Sequence, residues 1–156
     1  MLATALSLGL ITSMALEERA PDQRPLPTAL ISIGYVEAKL SDYATSPDYG
    51  KRLTDPAGFL AFSADFVGDG RLGRARVLRN VERNIAYVVV VLEREKIDTH
   101  VIESMPLDQA EKIGIRVAPP SDESIRAVGI KIFSLDGLDS RTFDLVDDDF
   151  QQRIEP

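Results

Sequence analysis

The chain reads as α+β: a mainly antiparallel β-meander sheet with an N-terminal helix packed on it. Three observations predict this. Apolar residues alternate with a period of two through most of residues 59–154, and short turn-rich gaps separate the runs. One of those runs, residues 85–92, reads Ile-Ala-Tyr-Val-Val-Val-Val-Leu and is apolar on both faces, as a strand inside a covered sheet must be. Upstream, Ile33, Val36, Leu40 and Tyr43 recur at the three-and-four spacing of a single buried helical face. A length of 156 residues, 44% hydrophobic, suffices for one core and is short for two.

Residues 1–15 carry no charged side chain and are dominated by Leu, Ala, Ile and Met, after which Glu17, Glu18 and Arg19 follow at once. Ser13 and Ala15 are small residues at the −3 and −1 positions of a signal-peptidase site. The apolar run is shorter than the ~20 residues of a membrane helix. A cleaved signal peptide over 1–15 is therefore expected, with a periplasmic or secreted product that keeps no membrane attachment in its mature form. No Lys or Arg precedes the apolar run, which leaves an upstream start or an uncleaved anchor open. Residues 16–27 form a linker punctuated by Pro21, Pro25 and Pro27, and residues 28–156 form a single domain. Thr28 caps the expected helix, and Ser46-Pro47-Asp48-Tyr49-Gly50 reads as the turn that follows it.

From there the strands run in order. Residues 59–66 lead into an Asp-Gly turn, 75–80 leave it, and 85–92 return after a short loop at Val81-Glu82-Arg83. A fourth strand, 99–103, is followed by a helical turn opened by Pro106 and closed by Gly114. A short strand at 115–117 is cut off by Pro119-Pro120. Residues 128–135, 141–146 and 150–154 complete the meander, the last two joined by a tight turn at Asp147-Asp148.

The stretch Asp65-Phe66-Val67-Gly68-Asp69-Gly70-Arg71-Leu72-Gly73 has the outline of a calcium-gripping turn. Such loops set carboxylates at alternate positions so that their oxygens converge on an ion roughly 2.4 Å away, and a glycine permits the bend. Asp65, Asp69 and Gly70 fit, and Arg71 can offer a carbonyl, but Val67 occupies a ligand position without an oxygen. Two acidic residues stand against Arg71, Arg74 and Arg76, whereas a divalent cation needs a negative cage. A metal-free turn is expected, with the guanidinium of Arg71 or Arg76 bridging the two carboxylates in place of calcium.

Residues 64–70, followed by Ala75-Arg76-Val77-Leu78, resemble the calcium turn of FG-GAP and VCBS-type repeats, in which an Asp-x-Asn-x-Asp-Gly loop joins two strands. The resemblance implies a strand-turn-strand device of the kind those secreted and cell-surface repeats use in adhesion and scaffolding. It occurs once, so it does not imply a propeller.

Arg71, Arg74, Arg76, Arg79 and Arg83 are crowded into one stretch, with Glu82 the only acid among them. Strand alternation sets Arg74 and Arg76 on one face, and with Arg79 they form the candidate binding group for an anion or an acidic partner surface. The competing reading is structural: Asp136, Asp139, Asp144, Asp147, Asp148 and Asp149 crowd the C-terminal meander and could neutralise the arginines by cross-strand pairing.

No catalytic residues are assigned. His100 is the single histidine, and alternation sets it on the face opposite Thr99 and Val101, read as solvent. Gly68, Gly70 and Gly73 space as Gly-x-Gly-x-x-Gly, but a dinucleotide site needs a helix next and Asp69 would repel a pyrophosphate. Asp147 and Asp149 imitate a hydrolase dyad that a turn explains without chemistry. Without cysteine there is no disulfide, thiol nucleophile or zinc-thiolate site. A formal charge of −7 repels nucleic acid and anionic lipid. The function expected is that of an exported, non-catalytic binding domain, without a cofactor, recognising a protein or an anionic envelope ligand. The alternatives are an inhibitor or immunity-type protein that neutralises a basic secreted enzyme, whose opposite charge would speed association, and an enzyme of unrecognised type.

Overall fold

The computed structural model describes residues 27–122 and 126–154, so the expected signal peptide and nearly all of the linker lie outside the described residues. The fold is β-rich and antiparallel. Its centre is the apolar run: β4 (Ile85–Glu93) lies between β3 (Gly73–Asn80) and β5 (Ile97–Pro106). Val88, Val89 and Val90 are fully buried, so both faces of β4 are covered. Burying each such side chain contributes about 1.5–3 kcal/mol. On the far edge of β3, two short strands lie end to end: β1 (Val36–Glu37), with Glu37 opposite Leu78, and β2 (Ala61–Ala64), with Ala64 opposite Gly73. Val77 bridges their junction, its N–H donating to the Leu60 carbonyl (2.8 Å) and its carbonyl accepting from the Ala38 N–H (2.9 Å).

The meander does not continue as one sheet. β6 (Ile113–Ala118), β7 (Gly129–Ser134), β8 (Ser140–Val146) and β9 (Asp149–Gln152) form a second, four-stranded sheet. The two sheets share one core, in which Val77, Val88, Val90 and Leu92 of the first, with Phe66 from the turn after β2, meet Ile115, Ile130 and Ile132 of the second. One flank is stitched by backbone bonds, Ile115 N–H to the Phe59 carbonyl (2.8 Å) and Val128 N–H to the Asp65 carbonyl (3.1 Å). The other is joined by side chains: the His100 ring stands edge-on to Phe150 at 5.5 Å, and Arg141 meets Glu103 at 2.6 Å. His100 pairs with Val90 and faces the second sheet; Thr99 and Val101 take the outer face. Alternation separates these residues as expected, but the presence of a second sheet turns the His100 face inward.

The expected helix over the Thr28 to Tyr43 region breaks into three pieces. α1 (Thr28–Ser32) is five residues long and reaches the outer face of the first sheet through Leu30, which packs with Tyr35, Leu78 and Val89. Gly34 then turns the chain at φ 88°, and β1 follows on the edge of β3. Leu40–Tyr43 is a 3-10 turn. The open edge of β3 claims backbone that the apolar spacing assigned to a helix, and the buried residues become Tyr35, Ala38 and Tyr43, while Ile33 and Val36 are exposed. α2 (Tyr49–Arg52) and α3 (Leu107–Ala110) are single turns. Gly114 does not close a helix but lies inside β6, where a Cβ would come within 2.8 Å of both Phe133 and Phe59.

Candidate functional site

The clustered arginines separate by strand alternation. Arg74 and Arg76 share the outer face of β3, as expected, and both are buried against it. Glu37 on β1 divides its carboxylate between them, Oε1 at 3.1 Å from Arg74 and Oε2 at 3.2 Å from Arg76. Arg79 points to the opposite face, over the Tyr43 ring, and pairs with Asp42 at 2.9 Å. The C-terminal aspartates do not neutralise these three. Asp144 takes Arg153, and Asp148 takes Arg94. The partners come instead from residues 37 and 42, because the segment whose apolar spacing predicts a covering helix settles as β1 and a 3-10 turn beside β3. With its side chain 1% exposed, Arg76 offers no accessible fork for a ligand.

The Asp-Gly turn is a hydrogen-bonded nest around Asp65. Oδ1 accepts the N–H groups of Val67 (3.2 Å), Gly68 (2.6 Å) and Asp69 (3.2 Å), and Oδ2 accepts that of Gly70 (2.7 Å). Gly68 and Gly70 take φ values of 83° and 86°, which aim these donors inward. Among the described residues no single guanidinium bridges the two carboxylates. Arg71 reaches only Asp69, with Nε at 2.9 Å and a terminal nitrogen at 2.6 Å from the same oxygen, while its backbone N–H bonds the other. Those bonds hold the Asp69 carboxyl below the usual aspartate range. Arg76, the other expected bridge, lies on the outer face of β3 with Glu37. Among the described residues, no group of three or more His, Cys, Asp or Glu side chains could hold a metal ion. After Gly73 the chain enters β3 and not a helix, which removes the context a dinucleotide fingerprint needs.

A second group of charged side chains, of both signs, assembles at this end of the sandwich. Arg71 from the Asp-Gly turn meets Arg94 and Lys96 from the β4–β5 hairpin around a recess of about 340 Å³, with Glu95 and Asp98 on its walls. Asp69 fixes Arg71, and Arg94 reaches across to Asp148 in the β8–β9 turn of the second sheet. The Arg94 guanidinium lowers the pKa of the Asp148 carboxyl through that bond. Arg94 thus ties the loops of the two sheets together. The run Glu93-Arg94-Glu95-Lys96 between two apolar strands carried the signal of a charged hairpin tip, which the sequence reading passed over.

Arg52, also unremarked in the sequence, is fully buried. Its guanidinium donates to the carbonyls of Gly58 (2.9 Å), Ala110 (3.1 Å), Glu111 (3.2 Å) and Ile113 (2.8 Å) and lies 4.2 Å from the centre of the Tyr43 ring. Burial lowers its pKa. Arg52 clasps α2 to the carbonyl end of α3, a structural role.

Comparison with known proteins found no matching family model, no matching curated protein and no matching solved structure.

Proposed function

We propose that this chain is an exported, non-catalytic recognition domain, periplasmic or secreted, that grips an anionic group of an envelope ligand or partner protein at the loop end of its sandwich. The observation that carries this reading is the recess of about 340 Å³ where Arg71, Arg94 and Lys96 meet. Asp69 and Asp148 hold the two guanidiniums in position before any ligand arrives, which reduces the ordering cost of binding. Guanidiniums suit planar carboxylates and phosphates. The Asp-Gly turn, in the likeness of a single FG-GAP or VCBS-type loop, serves as a metal-free scaffold that presents Arg71, and no cofactor takes part.

Amide chemical shifts followed during titration with a short polyglutamate peptide, and separately with inorganic phosphate, test this reading. Shifts confined to residue 71 and the 94–96 hairpin, weakened by salt and lost in the Arg94→Glu/Lys96→Glu variant, are expected. A protein that responds to neither probe does not bind anions there. The inhibitor reading draws on a separate observation, the exposed Asp136, Asp139, Asp147, Asp148 and Asp149 at the turns of the second sheet. It calls for stoichiometric binding to a basic secreted hydrolase that survives the Lys96→Glu change. Turnover of an ester or cell-wall polymer by the purified protein would instead move it to the enzyme class.

A further inference from the structure

We infer that two copies of this chain pair along the free edge of β5, extending the first sheet across a two-fold axis. β5 is ten residues long and ends its sheet, and among the described residues no strand pairs with its outer edge. The other edges are managed. β1 and β2 cover β3, and β6 is tied to Phe59. β9 is only four residues long and follows Asp147 and Asp148, with Asp149 as its first residue. Short, charged edges resist further pairing, whereas long apolar ones invite it. On β5 the register is regular from Ile97 to Val101, the irregularity falling just beyond, and this stretch exposes Ile97 (68%) and Val101 (51%) on the outer face.

The stretch is complementary to itself. With Thr99 set opposite Thr99 of the partner copy in an antiparallel pair, Ile97 falls opposite Val101 and Asp98 opposite His100, each pair occurring twice. Cross-strand apolar and acid–histidine pairs of this kind favour the register. Centring the axis one residue to either side sets Asp98 against Asp98 or His100 against His100, and both oppose like groups. The occupant is therefore a second copy of this chain in a single register.

Sedimentation across a concentration series, read with cysteine cross-linking, tests the pairing. The wild type is expected to dimerise. Ile97→Lys/Val101→Lys, changed only at exposed positions, is expected to be a monomer whose melting temperature matches that of the wild type at dilutions where the wild type is itself monomeric. The chain has no cysteine, so Thr99→Cys introduces its only thiol. Diamide should join that variant into a disulfide dimer and leave Ser104→Cys, exposed on the same strand beyond the irregularity, uncross-linked. A wild type that stays monomeric to millimolar concentration overturns the inference, whatever other strand the edge accepts. So does a dimer that survives the double lysine change, or equal cross-linking at positions 99 and 104.

Discussion

Four carbonyl oxygens depend on one guanidinium at Arg52, and four amide hydrogens depend on one carboxylate at Asp65. Losing either side chain strands backbone groups, which is costlier than losing a surface ion pair. Arg52→Ala should cost about 3–5 kcal/mol, the range for breaking a buried charged network, as read by urea denaturation. Arg52→Lys should recover only a small part, because an ammonium cannot span four acceptors in one plane. At the turn, Asp65→Ala should cost about 1–3 kcal/mol, since the nest is partly open to water. Wild-type melting temperature should be the same in chelator and in millimolar calcium, because the Asp65 oxygens already accept amide hydrogens and Asp69 holds Arg71. A calcium-dependent rise that disappears in Asp65→Ala would mean that the ion displaces those amides.

The strands that were easiest to read are those whose two faces differ least in their surroundings. β4 was legible because Ala86 to Leu92 is apolar throughout, and only a central strand buries both faces. Val90→Asp and Val89→Asp should each leave a carboxylate buried without a partner, on the sandwich face and the outer face respectively, at a cost of several kcal/mol. Neither variant should give a cooperative melt; a native-like Val90→Asp protein would be incompatible with this core. The Asp147-Asp148 turn was legible as well, and its φ values of 50° and 64° are those of a tight type I′ hairpin. The segment before β2 was not. Its apolar spacing fits a helix, and only the unfilled edge of β3, far along the chain, turns Val36 and Glu37 into a strand. That same long-range pairing decided the arginines: Glu37 cannot be seen beside Arg74 and Arg76 until β1 has been laid against β3. The recess escaped for a related reason, since Arg71 and Lys96 belong to separate loops that only the folded sheet brings to one end.

Across the whole molecule, the two sheets meet differently on their two flanks, and the difference should register in pH dependence. On the side-chain flank, burial pushes the Glu103 carboxyl above its ordinary value, with Arg141 pulling the other way, and its Oε2 is buried without a hydrogen bond. The native state then holds the proton more tightly than the unfolded chain does. This group's contribution is fully present below its ordinary pKa of 4.5 and is lost as pH rises through the raised folded-state value. The stability difference between wild type and Glu103→Gln should therefore shift against the wild type as pH climbs through that window. Measuring denaturation of both proteins from pH 4 upward cancels the carboxyls with lowered pKa, Asp69, Asp136 and Asp148, which act in the opposite sense at more acid pH. A pH-independent difference would remove Glu103 from this role. The Arg52 clasp carries a consequence for how the chain is made. Three of its four acceptors, at Ala110, Glu111 and Ile113, lie 58 residues and more downstream, so a growing chain that has folded only its first sheet leaves most of that guanidinium's hydrogen bonds unmade. Synthesis must reach Ile113, the first residue of β6, before the clasp around residue 52 can close, so this corner of the first sheet finishes its packing only when the strand that opens the second has emerged.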